Sequence, residues 1–480
     1  MSNLHKLIQS IALIITITIF AISATTATRI ETSHTFTRGI THISIEDPDY
    51  FEDRFRHLSL NILELDPTQA GIHIAAPNHS ARGLEMLVDQ AYRLREQGHN
   101  IIGGINGDMF AMHGFGVAEG QPSCLTVVNG EIVTMHHNFG ESRALPVFAS
   151  DNDGEIFFGH LILDLTAEVY RNGNRFRSLN LSHFNRNYGF SQQDIVMFTP
   201  RFSDDGNIEI LTPDVDNYLG VRYLEQWEFA VVELENGSDK IVAGQEFRGT
   251  LVEAIDDIDN ARVPDGAIVI AAHDLMERRR LEIGDEIKFE LNIYKTPENV
   301  GDGLGEPMNH LTEIIGAYNW LIRDGEVQTE DDWAQVLPVD WIITSTPART
   351  GIGIREDGTI LAVTVDQSFD VDSGMTMVEF AQLFYELGAV QALNFDGGSS
   401  TEMIAINQNR EFVTLNTPTG LDPRPISTSV LFSSNSGNVR GVGHSTTDKI
   451  ILWALFSSLT ILAASSILLG IIKLKKRIKS

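Results

Sequence analysis

The chain has 480 residues, with 65 acidic side chains against 35 basic ones and a formal charge of −30. No long basic stretch precedes the last eight residues, which excludes nucleic acid as a partner and leaves any anionic ligand to be held locally by a few arginines. The lone cysteine, Cys124, excludes an intramolecular disulfide and a thiolate metal cluster, and its apolar neighbours Leu125 and Val127 suit a core position.

The first 28 residues carry Lys6, an apolar run at 11–22 and small residues at 23–27, which predicts a signal peptide or an N-terminal anchor. Residues 29–99 alternate like strands at first. A helix follows over about 83–96, with Ser80 as its cap, a stripe of Leu84, Leu87, Val88, Ala91 and Leu94, and Gly98 as its end. An apolar strand at 101–105 then runs into Asn106, Gly107 and Asp108.

Residues 166–300 are rich in turns and strands, and read either as an insertion or as a continuation of the sheet. Next, the stretches 350–354 and 359–365 flank Asp357-Gly358, a hairpin signal that would set Arg349 beside Asp366. A second helix opens on the capping box Thr376-Met377-Val378-Glu379, carries its stripe on Met377, Phe380, Ala381, Phe384 and Leu387, and ends at Gly388. It leads into a short strand and then Asn394-Phe395-Asp396-Gly397-Gly398-Ser399-Ser400. An amide and a carboxylate two residues apart share a strand face, and two glycines let the backbone come close to a ligand or aim N–H groups at an anion. Arg349, Asp366 and Asp396 are thereby expected at one edge of one sheet.

Two helix–glycine–strand units predict an α/β fold, an α+β mixed sheet with flanking helices, forming a single large extracellular domain with a β-rich middle segment. The main domain is expected over 100–432, with a linker at 433–449. The uncharged run 450–472 predicts a C-terminal transmembrane helix, and the basic stretch 473–480 a cytoplasmic tail. Membrane attachment through that helix would leave the main domain outside the cell.

Seven short motifs in register resemble the phosphodiester glycosidase family, over roughly 100–130 and 310–432. They are Ile105-Asn106-Gly107-Asp108-Met109-Phe110, Gly120-Gln121-Pro122-Ser123, Leu321-Ile322-Arg323-Asp324-Gly325, Ala348-Arg349-Thr350-Gly351-Ile352-Gly353-Ile354, Ser373-Gly374-Met375-Thr376, the run from Leu393 to Ser400, and Arg424-Pro425-Ile426. Two departures stand out. Gln367-Ser368 follow Val365-Asp366 where the family often has Gly-Arg, and Asp108 stands where it often has a second glycine.

The resemblance implies hydrolysis of a sugar-1-phosphodiester to a free sugar and a phosphomonoester. Such a leaving group is already good, so the site needs chiefly a carboxylate at the sugar and cations for the phosphate. Asp396 is the expected catalytic carboxylate and Glu402 the candidate second one. Arg349 is expected to clamp phosphate with Arg424 as a second cation, and Asn106, Asp108, Thr350, Asp366, Asn394, Gly397, Gly398 and Ser399 are expected to line the substrate. No cofactor is expected. Asp108, Asp366 and Asp396 offer oxygen ligands that would suit Ca²⁺ or Mg²⁺, but no loop motif supports such a site, and His136-His137 lacks a third ligand nearby. The partner is then a glycan or sugar-phosphate substrate at the cell surface. The alternatives are a glycosidase on non-phosphorylated glycan, or a non-catalytic module that binds phosphate-bearing polymers.

Overall fold

The computed structural model describes residues 29–435 except 52–55, 78–79, 113–119, 136–144, 187–192, 204–206, 209–226, 257–260, 298–302, 335–339, 368–373 and 421. The expected signal segment, transmembrane run and basic tail lie outside the described residues, as do His136, His137 and the expected linker from 436 on, while Ser433 and Ser434 at the start of that linker belong to strand Ser429–Ser434. Among the described residues no helix is long and apolar enough to cross a membrane.

The α/β expectation is overturned. Strands make up 49% of the structure and helices 12%. Both expected helix–strand units exist, but neither feeds a parallel sheet. Helix Leu87–Glu96 leads into strand Ile101–Asn106, which lies antiparallel between Met403–Ile406 and Ser429–Ser434. Helix Met377–Glu386 leads into strand Ala389–Asn394, antiparallel to both Arg349–Arg355 and Asn319–Arg323. Each helix lies over a sheet of antiparallel neighbours, an arrangement that local periodicity does not distinguish from a βαβ unit.

Among the described residues four sheets carry the fold. The first has eight strands, ordered Ile30–Thr37, Ile40–Asp47, Leu58–Leu65, Ile360–Val365, Arg349–Arg355, Ala389–Asn394, Asn319–Arg323 and Glu326–Val327. The second has five, ordered Phe412–Thr414, Met403–Ile406, Ile101–Asn106, Ser429–Ser434 and Ala70–Ala75. Ile352, Leu393 and Trp320 of the first sheet share one apolar core with Ile105, Ile404 and Leu431 of the second. Residues 166–290 build a separate eight-stranded sheet, one face of which packs Val232, Phe247, Ile270 and Phe289 into a core shared with Val127, Val147 and Ile314. It joins the rest through a six-stranded sheet, in which Ile156–Asp164 pairs with Asn292–Lys295.

Helix Met377–Glu386 begins on a complete capping box: the Thr376 hydroxyl accepts the Glu379 N–H, and Glu379 accepts the Thr376 N–H at 2.8 Å. Gly388 ends it at a φ of +81°. Phe380 and Phe384 lie fully buried against Gly351 and Gly353, where an added Cβ would stand 2.9–3.0 Å from their rings. The glycines of Thr350-Gly351-Ile352-Gly353 thus let the helix settle onto the sheet. The first helix starts at Leu87, with no side-chain cap on Met86. Ser80 instead donates its hydroxyl to the Phe202 carbonyl at 3.4 Å.

Candidate active site

Two strand ends, one from each of the sheets that share the core, are tied together. The Asn106 amide donates to the Asp396 carbonyl at 2.7 Å, while the Asp396 N–H donates to the Gly107 carbonyl at 3.0 Å. Asn106 Oδ1 accepts from the Thr350 hydroxyl at 2.7 Å and the Glu402 N–H at 3.1 Å. With both ends of its amide engaged inside the protein, Asn106 joins the two sheets, and buried Thr350 serves the same joint.

Asp396 sits just past strand Ala389–Asn394, its side chain 15% exposed. Its Oδ1 accepts the Gly397 N–H at 3.0 Å, and its Oδ2 accepts the Ser400 hydroxyl at 2.5 Å and the Arg424 guanidinium at 3.2 Å. Arg424 also donates to Ser400 Oγ at 2.9 Å and lies over the Phe110 ring, 5.1 Å from its centroid. Burial pushes the Asp396 carboxyl up, against the pull of Ser400 and Arg424. Arg424 keeps 31% of its side chain exposed beside Met112, so it can reach a ligand while bonded to Asp396.

The turn after Asp396 does not present a row of free donors. The N–H groups of Gly397, Gly398, Ser400 and Thr401 donate respectively to Asp396 Oδ1, Ala348 O, Gly397 O and Gly398 O. Gly398 has a φ of +58°, and the side chain of Ser399 is exposed. The glycines serve the tight path of this turn rather than an anion nest.

Arg349 stands one place from Asp366, since it pairs with Val365 across the expected hairpin. Strands Ile360–Val365 and Ala389–Asn394 run parallel to each other but lie on either side of Arg349–Arg355. The side chain of Arg349 is 3% exposed and donates to three carbonyls, Met375 at 2.8 Å and Ile342 and Ser345 at 3.0 Å each. Burial lowers its pKa to about 10. Asp366 accepts the Ser59 hydroxyl at 3.0 Å and the Thr417 N–H at 2.8 Å, and burial raises its carboxyl to about 6. Neither group bonds to Asp396. The arginine that does is Arg424.

Glu402 is 4% exposed, accepts the Thr414 hydroxyl at 2.9 Å, and is pushed up to about 7 by burial. Asn394 lies opposite Asn319 on the neighbouring strand. Both are buried, and Asn394 Oδ1 and both amide atoms of Asn319 find no hydrogen-bond partner among the described residues.

Asp108 is 2% exposed and faces the charge of Asp396 and the buried Arg186 guanidinium. Arg186 is anchored by the carbonyls of Pro122, at 2.6 Å, and Met135. The sequence reading missed Arg186, Ser400 and Tyr318 as neighbours of the site. Ser400 belongs to a recognised motif, but Arg186 arrives from the turn-rich middle, where no local pattern marks it. Among the described residues no group of three His, Cys, Asp or Glu side chains could hold a metal ion.

The cluster at the joint of the two β-sheets is thus a carboxylate fixed by a hydroxyl and a part-exposed guanidinium. Residues 247–433 match the model of the phosphodiester glycosidase family. The chain is also 32% identical over 85 residues to an uncharacterised SPbeta prophage-derived protein of Bacillus subtilis (strain 168), a stretch covering 17% of this chain and 12% of that one. The fold resembles that of a hypothetical protein from Synechocystis, with a TM-score of 0.59, 17% identity and coverage of 85% of this chain and 64% of the other. It also resembles a candidate exported protein of Burkholderia pseudomallei K96243, with a TM-score of 0.56, 19% identity and coverage of 79% and 74%. This chain therefore spans less than two thirds of the Synechocystis protein and about an eighth of the Bacillus one.

Proposed function

We propose that the protein is an exported hydrolase that cleaves the anomeric C–O bond of a sugar-1-phosphodiester, releasing a free sugar and a phosphomonoester. The observation that carries this reading is the Asp396–Ser400–Arg424 cluster inside the family-matched segment. Arg424 is the group to bind the phosphodiester oxygens, and Asp396 the carboxylate to face the anomeric carbon as positive charge develops there. Attack at phosphorus would instead call for cations bridged by carboxylates and histidines. The cluster offers one arginine, one hydroxyl and one carboxylate. Export is supported by the signal-like start of the chain and by the description of the Burkholderia relative.

Hydrolysis of a sugar-1-phosphodiester in ¹⁸O-labelled water tests the bond assignment. The label is expected at the anomeric hydroxyl of the released sugar, and label in the phosphomonoester would overturn the reading. Asp396→Asn is expected to lower turnover at least about 10³-fold while substrate still binds, because shape is kept and charge is lost. Near-normal turnover by that variant would reduce Asp396 to a turn residue.

A further inference from the structure

The guanidinium of Arg424 is spent unevenly. Its Nε donates to Ser400 Oγ at 2.9 Å, and its Nη2 donates to Asp396 Oδ2 at 3.2 Å and to Ser400 Oγ. Its Nη1 meets the Met112 thioether, with Sδ at 3.5 Å, and thioether sulfur is a weak acceptor. The N–H groups left for an anion are therefore those of Nη1, the nitrogen that Asp396 and Ser400 do not hold.

The surroundings of Nη1 are apolar. Met112 is 45% exposed, and the guanidinium lies over the Phe110 ring, 5.1 Å from its centroid. The chain that carries both side chains is pinned. Phe110 forms a bridge with Pro122, the Ser123 N–H donates to the Met109 carbonyl at 2.8 Å, and Ala111 bonds to Gln121 and Gly120 at 2.9 Å each. A single apolar side chain at a protein surface is ordinary. Met112 differs because it touches the open nitrogen of the arginine at the reaction centre.

Across the guanidinium the order is carboxylate, cation, thioether. A sugar-1-phosphodiester has the order anomeric carbon, phosphate, second ester. We propose that the two orders lie in register: the sugar faces Asp396, the phosphate binds Nη1 of Arg424, and the second ester lies against Met112 and Phe110. The substrate class is then a sugar-1-phosphate esterified to an alkyl group, in preference to one that joins two sugars. A thioether side chain adapts to alkyl shapes and offers a hydroxylated ester no donor in exchange for water. The sugar end of this assignment rests on the glycosidase reading; the alkyl end does not.

The test uses the methyl, hexyl and glyceryl phosphodiesters of N-acetylglucosamine-1-phosphate. Their leaving groups are alkyl phosphates of nearly equal acidity, so differences in kcat/KM report how the ester is held. The wild type is expected to favour the hexyl diester over the other two by about tenfold, mostly through KM. Met112→Ser is expected to bring that ratio toward one, and Met112→Leu to keep it. No preference in the wild type, a preference for the glyceryl diester, or an unchanged ratio in Met112→Ser overturns the proposal. A second measurement needs no sugar. In protein labelled at its methionine methyl groups, hexyl methyl phosphate is expected to shift the Met112 signal, identified by its loss in Met112→Leu, and to leave it in place in Arg424→Ala. A shift of that kind with no turnover of any of the three diesters would sink the glycosidase reading and leave the alkyl site standing. Turnover with an unmoved Met112 signal would sink the alkyl site alone.

Discussion

Two arginines of the motifs are held differently. Arg349 spends its guanidinium on three carbonyls inside the protein, whereas Arg424 lies part-exposed against Asp396 and Ser400. Arg349→Ala strands buried carbonyl oxygens and is expected to cost about 3 kcal/mol of stability or more, read by urea unfolding. Arg424→Ala is expected to leave the unfolding midpoint nearly unchanged and to lower kcat/KM about 10²-fold, mostly through KM and with a weaker response to salt than the wild type. The reverse pattern would return the phosphate to Arg349. Glu402 makes a separate pH prediction. Its carboxyl is raised from 4.5 to about 7, so the folded state keeps a proton that the unfolded chain has lost, and stability declines across that window as pH rises. Unfolding of Glu402→Gln at pH 5 and pH 8 should show that decline reduced. At this scale the sequence pointed to Asp396 and to both arginines, and gave the first place at the phosphate to Arg349, whose side chain the structure turns inward. Neighbours along the chain, Thr350 and two glycines, said nothing of the three carbonyls from 342, 345 and 375 that surround the Arg349 side chain.

Among the elements, the second helix was the most legible, because a capping box, an apolar stripe and a terminal glycine all agree. The first was read four residues too long at its start, since Ser80 and Gly83 imitate a helix entry while the serine hydroxyl is spent on Phe202. The hairpin at Asp357-Gly358 was legible in register as well as in place. What periodicity could not supply was the direction of the neighbours, and the α/β reading failed there. The contact of Phe380 and Phe384 with Gly351 and Gly353 gives this scale its test. Gly351→Ala places a methyl group against both rings and the Leu393 carbonyl, and is expected to cost about 1–3 kcal/mol. A shift of the unfolding midpoint with an unchanged m-value would register it as overpacking, and a neutral result would mean that the helix is free to lift.

Across the molecule, the motifs lie where the two sheets of the shared core meet, and the sheet of residues 166–290 was the part least legible in advance. Its strands alternate and turn without a motif, yet the turn-rich run around it supplies Arg186 to the neighbourhood of Asp108. A site assembled from residues 106, 186, 396 and 424 is a property of the closed fold, and no window of sequence contains it. The last described strand, Ser429–Ser434, lies between Ala70–Ala75 and Ile101–Asn106. Its partners are therefore made early and must wait for it, so the five-stranded sheet can close only after residue 434 has been made. A chain ending at residue 428 should bind a dye for exposed apolar surface and lack a cooperative melt, even though the Asp396 motif is intact. The same delay leaves Ala70–Ala75, whose neighbour in this sheet is that strand, an open edge until then.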